Sequence, residues 1–195
     1  MTSKAFSGGE KLGEFLKQMA ASLETGAAVR VGWPGASDPG EAEGDGEKGA
    51  TYPNGTPVAT VAALQEFGAP RAGIPPRPFF RTMITDKSGG WGAAVAANLK
   101  ATDYDAAKTL GIVGQGIADQ LQESIRNLDE PALSPVTLML RSLYPVRSEG
   151  VTSKRQVVEA RMLVELGEQP GPVSTKPLIW THQMINSVVA VVEKS

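Results

Sequence analysis

Four prolines within nine residues, Pro70, Pro75, Pro76 and Pro78, restrict this chain more than any other feature it carries. Each fixes its own φ and biases the residue before it away from helix. They belong to a longer stretch, residues 57–81, whose first part from Val58 to Leu64 is small and apolar enough to be buried. Glu66, Phe67 and Gly68 end that run, and Gly68 supplies the positive φ that a chain reversal needs. The stretch is therefore expected to form a buried element, a stiff extended loop, and a helix restarting at Pro78, where a missing N–H costs nothing. Packing must hold such a loop in place. Phe67, Ile74, Phe79 and Phe80 are the expected anchors, and three of the chain's five phenylalanines are among them.

On either side, hydrophobic spacing predicts an α+β fold. Residues 10–24 place Leu12, Phe15, Leu16, Met19 and Leu23 on one helical face, with a stop at Gly26. Residues 28–33 alternate and read as a strand. Residues 78–101 read as a helix weakened at Gly89, Gly90 and Gly92. Asp103 is the expected cap of a helix over 104–127, with a stripe at Leu110, Val113, Ile117, Leu121, Ile125 and Leu128. Gly111, Gly114 and Gly116 beside that stripe would permit close helix–helix approach. Pro131 and Pro135 mark a turn, and Ser134 is placed to cap a short helix from Pro135 to Leu143. A further helix spans 151–167 and ends at Gly167; a linker runs from Pro170 to Pro177. Thr181 to Ser187 reads as helical, and the β-branched run Val188–Val192 as a last strand. Pairing that strand with residues 28–33 gives a small antiparallel sheet packed by several helices. One domain over residues 1–195 is expected.

Residues 34–56 break the pattern. They are rich in glycine and proline and hold five acids against one lysine between Asp38 and Lys48. A flexible, solvated insertion loop is expected there. Its net −4, within a total of −2, leaves about +2 elsewhere. That is no basic patch of the kind a nucleic-acid binder needs. The chain has no cysteine, so thiol catalysis and thiolate metal sites are excluded. No stretch reads as a signal peptide or a membrane span.

Two apparent motifs lack their context. Gly44-Asp45-Gly46-Glu47-Lys48-Gly49 spells a dinucleotide fingerprint, but no strand leads tightly into it and its acids repel phosphate. Glu41, Glu43, Asp45 and Gly46 open like a calcium loop, yet Tyr52 stands where the closing glutamate belongs. His182 is the only histidine. A small hydrolase using it with Ser187 or Asp103 is the alternative enzymatic reading, with no nucleophile motif beside it. No cofactor or metal is expected. Trp33, Trp91 and Trp180 read as core or interface anchors.

Glu66-Phe67-Gly68, followed by Ile74-Pro75-Pro76-Arg77-Pro78-Phe79-Phe80-Arg81, resembles the signature of tailed-bacteriophage neck and tail-completion proteins. Pro131-Ala132-Leu133-Ser134-Pro135-Val136-Thr137-Leu138 resembles a second segment of that family. Lys176-Pro177-Leu178 through Asn186-Ser187 resembles its C-terminal segment, with His182 where the family usually has glycine. The resemblance runs in order over residues 27–192. It implies a non-enzymatic virion protein forming a homo-oligomeric ring, a hexamer matching the tail, at the head–tail junction. Tail-terminator and head-completion or connector proteins would be its neighbours, DNA would at most pass through the lumen, and the host cytoplasm would be the place of assembly. Phe67, Arg77, Phe79, Phe80, Arg81 and Trp180 are then the interface candidates. The two arginines are either plain surface charges or anchors to a carboxylate or carbonyl across a subunit boundary.

Overall fold

The two strands, far apart in sequence, pair with each other. In a computed structural model, which describes residues 27–33, 50–145 and 153–194 together with Glu14 and Lys17, strand β1 (Ala27–Gly32) lies antiparallel to strand β2 (Val189–Lys194). The register runs from Ala27 opposite Lys194 to Gly32 opposite Val189. Alternation sends Val29, Val31, Ala190 and Val192 to one face, where a helix covers them. Arg30 and Glu193 form an exposed ion pair of 3.1 Å beside the sheet, an arrangement that contributes little.

Between the strands come α1 (Val58–Phe67), α2 (Phe79–Lys87), α3 (Trp91–Ala101), α4 (Ala106–Asn127), α5 (Pro135–Leu143), α6 (Lys154–Glu165) and the four-residue α7 (Gln183–Asn186). The fold is α+β, as the hydrophobic spacing predicts. Helix α4, 22 residues long, is the spine: it packs across both strands and against α2 and α3. Its buried positions Ala118, Leu121 and Ile125 meet Val58, Ala62, Phe79, Met83, Met184, Ile185 and Val188 in the core. Helices α5 and α6 pack chiefly on each other.

Several boundaries differ from the sequence expectation, each for a local reason. The helix expected over 78–101 is interrupted at Ser88–Gly90 by a short 3-10 turn, where two glycines weaken it. Asp105, not Asp103, caps α4, its carboxylate accepting from the Lys108 N–H at 2.9 Å. Asp103 and Tyr104 instead take left-handed conformations, at φ 51° and 64°, to turn the chain between α3 and α4. Pro78 caps α2 from outside and Phe79 begins it. Ser134 caps α5 as expected, accepting from the Thr137 N–H, and Ser153 with Gln156 forms a full capping box on α6. Of the helix expected over 10–24, only Glu14 and Lys17 are described; both are helical and exposed. The glycine-rich and calcium-like patterns at 41–49 lie outside the described residues. The end of the expected flexible loop, residues 50–56, is folded as a turn closed by hydrogen bonds between Tyr52 and Thr56 and between Gly55 and Tyr52. Gln183 donates its side-chain amide to the Thr51 carbonyl and ties that turn to α7.

Gly111 and Gly114 of α4 serve the sheet, not another helix. A Cβ at Gly114 would stand 2.5 Å from Val29 Cγ2 and 3.1 Å from the Ala190 methyl, whereas Gly116 faces open space. The same substitution should therefore have opposite signs two residues apart, on opposite sides of the helix. Gly114→Ala should destabilise by about 1–3 kcal/mol through overpacking. Gly116→Ala should stabilise by up to about 1 kcal/mol through helix propensity. Chemical denaturation of the two variants checks this; equal effects would mean that β1 does not sit against Gly114.

Candidate functional site

The proline stretch folds into a node built on one buried acid. Glu66, 5% exposed, sits in the last turn of α1. Helix α2 begins at Phe79 with free N–H groups, and Pro78 offers no side chain to cap them. Glu66 does so from the neighbouring helix: its carboxylate accepts from the Phe80 N–H at 2.9 Å and the Arg81 N–H at 3.2 Å. It also accepts from Arg81 Nε at 2.7 Å, and the Glu66 carbonyl takes a second guanidinium N–H of Arg81 at 3.2 Å. A carboxylate at a helix N-terminus is further favoured by the helix dipole.

Gly68 makes the reversal that brings these groups together. Its φ is 72°, and a Cβ there would stand 2.7 Å from Pro76 N and 2.8 Å from the Ile74 carbonyl oxygen. The loop closes on itself through paired hydrogen bonds between Ala69 and Ile74. Arg77 then turns inward. Its backbone N–H donates to the Gln65 carbonyl at 2.7 Å; its guanidinium donates to Gln65 Oε1 at 3.0 Å and twice to the Pro131 carbonyl.

A second buried arginine extends the network. Arg141 on α5 donates to the carbonyls of Ser174, Lys176 and Pro177 and lies 4.8 Å over the Trp180 ring. Lys176 pairs with Asp129 at 2.7 Å. Arg77 and Arg141 are both held below the usual guanidinium range, Arg77 by burial and Arg141 by burial and then by the positive charge of Arg77. Their guanidinium groups donate to backbone carbonyls and to the Gln65 amide oxygen.

The interface candidates thus separate by position. Phe79 is core, packed edge-on to Trp33 at 6.1 Å. Phe80 is half-buried, and Phe67, expected as a packed anchor, is 63% exposed. It lies under the Arg81 guanidinium at 5.0 Å. Arg77 and Arg81 do bind a carbonyl and a carboxylate, but within their own chain. Trp33, Ala63, Phe67, Phe80 and Arg81 border an apolar groove of about 220 Å³. A larger, more polar groove of about 440 Å³ runs between α2 and α4, past Asp86, Gln120 and Glu123. Glu66 and Arg141 escaped the sequence reading as site residues. Their signal was a lone acid and a lone base among apolar neighbours on helices.

The residues of the hydrolase alternative are not joined. Ser187 donates its hydroxyl to the Gln183 carbonyl at 2.6 Å, and His182 and Asp103 are exposed. Among the described residues no group of three or more metal-ligating side chains is gathered, and no helix is long and apolar enough to cross a membrane. No protein-family model, curated protein or solved structure matches the chain.

His182 has a backbone reason to be noticed. Its φ of 60° and ψ of 0° are left-handed, the conformation glycine takes most easily. His182→Gly should leave stability unchanged or raise it by up to about 1 kcal/mol, and a β-branched residue there should lower it. Thermal melts of His182→Gly and His182→Val read this directly. A large loss in the glycine variant would show that the imidazole itself is needed.

Proposed function

We propose that this chain is a structural, non-enzymatic subunit of the tailed-phage neck, completing the tail and joining it to the head. One observation carries the reading. The three stretches that resemble the family, far apart in sequence, are bound together: Arg77 holds the Pro131 carbonyl, and Arg141, just beyond the second stretch, holds the carbonyls of Lys176 and Pro177. Residues shared for scaffold reasons should interlock in this way, and catalytic residues would instead gather round a reactive group. The exposed apolar groove beside Phe67 suits a subunit that is covered after assembly.

In this reading the chain forms a homo-oligomeric ring, six copies matching the tail, with tail-terminator and head-completion or connector proteins on its two sides. DNA passes the lumen without tight binding, and the protein moves from the host cytoplasm into the virion. Silencing the reading frame in the phage that encodes it should leave filled heads and finished tails that do not join. Electron microscopy of lysates, with and without the protein supplied in trans, tests this. Joined, infectious particles in its absence would refute the assignment.

A further inference from the structure

The core of this fold skips a long stretch of chain. Among the described residues, the buried core and the partly buried side chains packed on it run from Val31 to Leu128 and resume at Leu178. None comes from 129–177, although that stretch carries α5 and α6. The two helices have buried side chains of their own, Met139 and Ala160, outside that core, and they pack chiefly on each other. Polar contacts close the stretch on itself. Its two ends meet where Lys176 Nζ lies 2.7 Å from Asp129 Oδ1. Arg141 on α5 holds the carbonyls of Ser174, Lys176 and Pro177. Ser142 accepts from the Gly171 N–H at 2.9 Å, and Tyr144 donates its hydroxyl to Glu159 on α6 at 2.7 Å.

The joint between this stretch and the rest of the fold, the body, is polar as well. Arg77 reaches from the body to the Pro131 carbonyl at 3.3 and 3.2 Å. Arg141 lies over the Trp180 ring, and the Ser174 hydroxyl donates to the Ile179 carbonyl at 3.5 Å. Such bonds are exchanged for bonds to water when a joint opens, so each holds it only modestly. A region with few buried apolar contacts to its surroundings opens at a lower free energy than the whole. We infer that residues 129–177 form an arm that unfolds and refolds as one unit while the body stays folded. Leu128 and Leu178 are its fixed ends in the core, and Arg141 is the clasp within it. Opening takes the Pro131 carbonyl away from Arg77, so a guanidinium that is buried in the closed state then faces solvent. The opening belongs to the single chain and is independent of the neck reading.

Native-state hydrogen exchange on the full chain, followed by NMR at rising but sub-denaturing urea, tests this. Amides of α5 and α6 should converge on one opening with a shared denaturant dependence. They should exchange at least about tenfold faster than the slowest amides of α4, β1 and β2. Two variants then place the boundary. Gly114→Ala loosens the body, so it should speed exchange in α4 and leave α5 and α6 unchanged, because the body is folded on both sides of the arm's opening. Ile125→Val, at a fully buried position of α4, replaces it should Gly114→Ala prove neutral. Arg141→Met removes the clasp and should speed α5 and α6 by about tenfold or more. It should speed α4 by the same factor, since the arm is also open in the unfolded chain. Arm amides that exchange together with α4, that split into unrelated openings for α5 and α6, or that quicken as much as α4 in the body variant would each overturn the inference. Arm rates unmoved by Arg141→Met would likewise contradict it. The unaltered chain and the body variant decide the matter even where Arg141→Met does not fold.

Discussion

Phe79→Ala should destabilise the protein by about 3–5 kcal/mol, while Phe80→Ala leaves it folded. At this chain length that loss corresponds to a fall of roughly 6–20 °C in melting temperature. Phe79 is 1% exposed, meets Trp33 edge-on, and offers its carbonyl to the Ser124 hydroxyl at 2.7 Å. Truncation leaves a cavity between α2, α4 and β1 that neighbours from three elements cannot close together. Adjacent residues on a helix diverge by about 100°, so Phe80 points elsewhere, to the rim of the apolar groove. Its removal should cost about 1–2 kcal/mol, in keeping with partial burial, and should weaken self-association instead. Melts of both variants beside a sedimentation measurement separate the two roles. Equal melting temperatures would show that Phe79 is not the core residue.

Glu66→Ala should cost about 3 kcal/mol, more than the exposed side of its ion pair with Arg81 could account for. Hydrogen bonds to a charged group contribute about 1.5–3 kcal/mol each net of exchange with water, and Glu66 caps two N–H groups at the start of α2. Arg81 reaches solvent, so the Coulombic share of the pair is screened and small. Glu66→Gln keeps an acceptor oxygen and should lose less than half as much. Arg81→Ala should lose about 1 kcal/mol, and the double variant less than the two singles together, because they share one network. A loss below about 1 kcal/mol for Glu66→Ala would mean that water caps α2 equally well.

Periodicity made the elements legible and left their partners hidden. The β-branched run near the C-terminus and the alternation at 28–33 identify the two strands, and their distance in sequence did not obscure the pairing, since few other segments favour a strand. Ser134 was readable because a cap is a local event. Asp105 was misplaced by two residues because the turn before it uses left-handed Asp103 and Tyr104, which nothing nearby in sequence announces. Gly114 carried the right meaning, close approach, with the wrong neighbour: spacing along a helix says that something comes near, not whether it is helix or sheet. Phe67, expected as a packed anchor, is exposed, and its neighbour Glu66, given no role by the sequence, is buried. Hydropathy puts the aromatic inside and the acid outside, and a long-range demand for a cap on α2 reverses them. Arg77 and Arg141 were opaque for the same reason, since their acceptors are backbone carbonyls 33 to 54 residues away.

Locating the protein in the particle bears most directly on its role. Cryo-electron microscopy of purified virions, with an added label at the C-terminus to mark the subunit, should reveal a ring of copies between the head connector and the first tail disc. Trp33 and Phe67 should lie at the boundary between adjacent copies. A label spread over the capsid or along the tail, or missing from complete particles, would contradict the neck assignment.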